Sequence, residues 1–81
     1  MNMHREDVRR ALRDIDVIER GMKLAGRHRA AMKIVAGSLP QIENEIARIR
    51  FRRTEGGLKQ TICARLEHLK SVAAKGRADV S

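Results

Sequence analysis

The sequence predicts an all-α protein: a small bundle of three helices, or four if the first breaks, joined by short turns and assembled as a homodimer. Three observations predict it. Apolar residues recur at three- and four-residue steps in three separate stretches, which places them on one face of a helix. No stretch alternates apolar and polar residues for long enough to argue for a strand. Two punctuating segments, Gly37-Ser38-Leu39-Pro40 and Thr54-Glu55-Gly56-Gly57, divide the three stretches.

The first helix covers about 4–25, or 4–36 if it passes through Gly26, and the continuous course is slightly favoured. Val8, Ala11, Leu12, Ile15, Ile18, Met22 and Ala25 share one wide sector of its surface. Val17, Leu24, Ala31 and Val35 mark a second apolar line on roughly the opposite side. Asn2 or His4 precedes the first turn, and Glu6 and Asp7 suit the positive end of the helix dipole. Four pairs at i, i+4 spacing support an exposed face: Glu6–Arg10, Arg10–Asp14, Asp16–Arg20 and Glu19–Lys23. Gly21 and Gly26 each permit a break or a close helix approach.

Gly37 suits the left-handed position that ends a helix. Ser38 suits an N-cap, and Gln41 three residues later completes a capping box. Pro40 is tolerated in a first turn, where its missing N–H would be unpaired anyway. The second helix then covers about 39–53, with Leu39, Ile42, Ile46 and Ile49 as a narrow stripe. Its arginine-rich end suits the C-terminal dipole. The third helix covers about 58–75, with Leu58, Ile62, Leu66, Leu69, Val72 and Ala73 on one face. Gly76 is the expected stop. One helical domain therefore spans 1–76, followed by a flexible tail over 77–81.

A chain of 81 residues with one aromatic, Phe51, has a limited core. Its lone Cys63 forms no internal disulfide, and one Cys with three scattered His residues makes no zinc set. No metal or cofactor is expected. Oligomerisation is the remaining route to stability. The homodimer is expected to use Val17, Leu24, Ala31, Val35 and Phe51, so that the two-faced first helix closes its own protomer on one side and meets the mate on the other. For Phe51 the favoured course is a fold back onto its own bundle or the dimer mate.

Eighteen Lys and Arg against ten acids give a net charge of +8. That balance implies an anionic partner, nucleic acid or an acidic protein surface. No run of apolar residues is long enough to span a membrane, and the residues after Met1 lack the apolar core of a signal peptide. A reducing, cytoplasmic compartment fits the lone cysteine. The expected partner-binding patch joins two clusters: Arg20, Lys23, Arg27, Arg29 and Lys33 with Arg48, Arg50, Arg52 and Arg53. No acid interrupts the interval from Glu19 to Glu43.

Catalytic signals are few, and no small-molecule substrate is evident. His4, His28 and His68 lie on different segments, and Cys63 and His68 point apart on a helix. Glu55-Gly56-Gly57-Leu58 lacks the lysine and spacing of a phosphate loop. Ala31 to Arg50 can be laid out as a helix-turn-helix offering Gln41, Asn44, Arg48 and Arg52. Glu43 and Glu45 fit its reading end poorly. The expected function is a small non-enzymatic regulator acting through its Arg-rich surface. The alternative is a protein-interaction module, of the inhibitor or anti-activator kind that phage and mobile-element genes encode.

Overall fold

A computed structural model of the chain describes residues 5–75. Among them the regular elements are all helical: α1 (Glu6–Ala25), α2 (Arg29–Ala36), α3 (Leu39–Ala47), a 3-10 turn (Arg53–Glu55) and α4 (Gly56–Lys75). The expected cap at Asn2 or His4, the Gly76 stop and the 77–81 tail lie outside the described residues. No described helix is long and apolar enough to cross a membrane.

The first helix breaks at Gly26 and does not continue to 36. Gly26 has φ 52° and ψ −115°, a conformation that a Cβ makes costly. Its N–H still donates to the Met22 carbonyl, and His28 then caps the next helix, its Nδ1 accepting the Ala31 N–H at 3.1 Å. The break lets α2 fold back onto α1 and bury Met32, which a straight helix would carry past the end of the core. Gly21 serves close approach: a Cβ there would stand 3.2 Å from Cγ1 of Val35.

The next junction is softer than the sequence implies. Gly37 is right-handed, at φ −63° and ψ −17°, and the Ser38 side chain caps nothing. Neither the left-handed stop nor the capping box forms, because the chain stays near helical through both residues. The Ser38 N–H donates to Val35 and the Ser38 carbonyl accepts from Ile42. α2 and α3 therefore resemble one kinked helix.

The helix expected over 39–53 ends at Ala47. A helix through 53 would turn Phe51 away from the stripe that carries Ile42 and Ile49. Instead the chain unwinds, and Ile49 is buried while Phe51 packs against the core. The 3-10 turn leads directly into α4, which starts at Gly56 instead of 58.

α1 is the axis of the molecule and packs against α2, α3 and α4. Its 20 residues span about 30 Å. The kinked α2–α3 unit runs back along it. Val35 covers Gly21, and further on Asn44 and Arg48 face Asp7 and Arg10. α4 runs in the direction of α1: Glu55, just before it, pairs with Arg5, and Arg65 pairs with Asp16 and Glu19. The result is a rod of 43 × 18 × 18 Å.

The core follows the three expected stripes. From α1 it takes Val8, Ala11, Ile15, Ile18, Met22 and Ala25, and Leu12 packs beside them. Leu39, Ile42, Ile46 and Ile49 come from the second stripe, and Ile62, Leu66 and Leu69 from the third. The ion pairs cross between helices. Arg65 Nη2 donates to Asp16 Oδ1 at 2.7 Å and to Glu19 Oε1 at 2.6 Å, and Lys70 Nζ reaches Glu43 Oε2 at 3.1 Å. None of the four i, i+4 pairs expected along α1 is among the ion pairs of the described residues, since Asp16 and Glu19 turn to α4.

Candidate functional site

Residues 48–53 link α3 to the 3-10 turn as a strap across one end of the rod. Burial alternates along it. Ile49 is buried and Phe51 half-buried, while Arg48, Arg50 and Arg52 are exposed, as is Arg53 at its end. The two apolar side chains anchor the strap, and the arginines project from it as a comb.

The strap's backbone is held from outside. Arg5 donates through Nη1 and Nη2, each at 2.9 Å, to the Arg50 carbonyl. Arg5 Nη2 also reaches Glu55 Oε1 at 3.1 Å, and the same oxygen accepts the Arg52 N–H at 2.7 Å. Leaving the helix released these backbone groups, and one Arg–Glu pair satisfies two of them. Arg5 was not singled out in the sequence, because its partners are 45 and 50 positions away. Among the described residues Arg48, Arg50, Arg52 and Arg53 take part in no ion pair. Arg9, one turn along α1, and Lys59, in the first turns of α4, add exposed cations to the same end.

The other five cations of the expected patch are elsewhere. Arg20 and Lys23 are exposed on the last turns of α1, Arg27 lies in the turn after it, and Arg29 and Lys33 border a shallow hollow between α2 and Ala73 of α4. Arg5, against the strap, and Arg20 are separated by 15 residues of one helix, about 22 Å. The two clusters occupy opposite ends of the rod and do not form one joined patch.

The residues expected at a dimer face also divide. Val17 and Leu24 are exposed, at 59% and 83%. Ala31, Val35 and Phe51 pack against the protomer's own core. Ile34, unmarked in the sequence, is 76% exposed. Its orientation depends on α2 having a separate register from α1, which local spacing does not contain.

A polar groove separates α1 from α3, with Arg10, Gln41, Asn44 and Arg48 along it. Asp14 and Glu45 line a neighbouring hollow together. Burial, then hydrogen bonding to Asp14 and its charge, push the Glu45 carboxyl up, against an opposing pull from Arg10. On the far side of α1, hydrogen bonds to Asp16 and then Glu19 push the Arg65 guanidinium up. Gln41 and Asn44 border α1, α3 is 9 residues long and Arg52 is off it, so the helix-turn-helix layout does not form. Cys63 is half-buried on α4, and the hollow beside His68 is bordered by Glu19, Ala64, Arg65 and Leu69. Among the described residues no three His, Cys, Asp or Glu side chains converge to hold a metal.

Comparison of the chain with protein-family models, with curated proteins and with solved structures finds no match.

Proposed function

We propose that this chain is a non-catalytic binding protein whose arginine strap holds the phosphate backbone of duplex nucleic acid. The observation that carries the reading is the comb of Arg48, Arg50, Arg52 and Arg53, kept outward by the anchors Ile49 and Phe51. Guanidinium groups bind phosphate bidentately, and the fixed backbone reduces the ordering cost of contact. Protein interfaces draw their energy from apolar and aromatic anchors set in pockets. Phe51 faces inward, so the strap offers cations without such an anchor, which suits a phosphate backbone better than a protein surface. No aromatic is presented for base stacking, which favours a duplex over a single strand and contact with little sequence preference.

The test is fluorescence polarisation of a labelled random duplex over a salt series. Four phosphate contacts predict a slope of about −3 to −4 in log K against log salt. The double variant R52A/R53A is expected to lose roughly two units of that slope. R20A/K33A removes the same charge from the opposite end and is expected to leave most of it. Equal losses in the two variants would mean that net charge, and not the strap, attracts the duplex.

A further inference from the structure

We infer that Arg5 and Glu55 are positioning residues for the duplex site: they touch no phosphate, and they aim Arg50 and Arg52, which do. The inference rests on the nucleic-acid reading of the strap and identifies what orders it. The Arg50 carbonyl belongs to the peptide before Phe51, and the Arg52 N–H to the peptide after it. Arg5 donates to the first through Nη1 and Nη2, each at 2.9 Å, and Glu55 Oε1 accepts from the second at 2.7 Å. Arg5 Nη2 and Glu55 Oε1 meet at 3.1 Å and join the two holds into one clamp. Each peptide is planar, so fixing both planes fixes the directions in which the Arg50 and Arg52 side chains leave the backbone. The apolar anchors Ile49 and Phe51 place the strap against the core. Apolar burial is non-directional and sets no peptide orientation. The helix that would otherwise do so ends at Ala47.

Neither member of the clamp suits direct contact. The Arg5 side chain is 23% exposed and that of Glu55 22%. Both Nη atoms of Arg5 donate within the protein, and its Nε is buried, 3.8 Å from Asp7 Oδ1. Glu55 repels phosphate, so it serves the site through the backbone it holds. The other acids beside the clamp are Glu6 and Asp7, in the first turn of α1, and Asp7 Oδ1 accepts the Val8 N–H at 2.7 Å. Asp7 and Glu45 share a groove with Arg48, so the clamp is assigned to Arg50 and Arg52 and not to the whole comb.

Variants of equal charge separate position from charge. Glu55→Ala and Glu55→Gln both remove the negative charge, and only the glutamine keeps an oxygen to accept from Arg5 and Arg52. The whole chain and its variants are titrated against a labelled random duplex by polarisation over a salt series, with circular dichroism to check that each is folded. E55A is expected to bind about threefold to tenfold weaker than E55Q, the cost of ordering freed side chains on binding. Its salt slope is expected to stay within about half a unit of that of E55Q, because the phosphate contacts are still made. Net charge alone predicts equal affinities. In an R50A/R52A background the gap between E55A and E55Q is expected to close, since the clamp then has no arginine to aim; a defect elsewhere in the fold would keep it open. Arg5→Lys keeps the charge but replaces the guanidinium fork with one ammonium, and is expected to bind about threefold weaker than wild type. Equal affinities of E55A and E55Q, a gap that survives R50A/R52A, or an R5K chain as tight as wild type would overturn the inference and leave the strap reading standing on the wild-type salt slope. A wild-type chain without salt-dependent duplex binding would overturn the strap reading and the inference with it.

Discussion

At the scale of single residues, the Asp14–Glu45 contact has a measurable consequence. Two neighbouring carboxyl groups cannot both stay ionised without cost. Glu45 carries it, raised above its ordinary 4.5 chiefly by burial and then by Asp14, and its Oε2 is buried without a partner. A carboxyl raised in the folded state binds its proton more tightly there than in the unfolded chain. Its stabilising contribution is complete below the unfolded value and is lost as pH rises through the folded one. Glu45→Gln removes this loss, because an amide can donate to Asp14 at any pH. The variant is expected to have a higher Tm than the wild type at pH 7 and about the same Tm near pH 4, in thermal melts followed by circular dichroism. A gap that widened toward low pH would contradict the assignment.

At the scale of elements, the Gly26 break and the strap govern where the surfaces fall. Gly26→Ala is expected to destabilise the fold by about 1–3 kcal/mol, the range for a side chain forced into such a backbone conformation. Denaturant melts check it: a smaller loss would mean that the turn relaxes and the two helices join. The strap departs from the expected helix for a clear physical reason. Ile49 continues the stripe of Ile42 and Ile46, so local spacing favours helix to 53. Burial of Phe51, the one large aromatic, outweighs the few helical hydrogen bonds given up beyond Ala47. Arg5 and Glu55 then satisfy the released groups. Local spacing contains none of those partners.

At the scale of the molecule, stability rests on a few aliphatic contacts along a narrow rod. Ile15 and Ile62 are completely buried, one from α1 and one from α4. Ile62→Ala is expected to cost about 2–5 kcal/mol, and in a chain this small that lowers Tm by roughly 10 °C or more. A far smaller shift in a thermal melt would mean that the rod repacks around the lost side chain. The rod shape also separates the two cationic groups. The prominent expectation of one joined patch fails because α3 turns back toward the start of α1 and carries Arg48 to Arg53 to the end opposite Arg20.

The sequence by itself determined that the described chain is helical, and which face of each helix is buried. Ile15, Ile18, Ile42, Ile46, Ile62 and Leu66 could be named from spacing because helix periodicity is set by neighbours three and four positions away. It also determined the excess of positive charge. The tertiary structure decided the rest. It ended α1 at Gly26, unwound residues 48–53, turned Ile34 outward, and brought Asp14 to Glu45 and Arg5 to Arg50. Each of those outcomes balances a local helical preference against burial or hydrogen bonding by a residue distant in the chain, and only the folded chain supplies that second term.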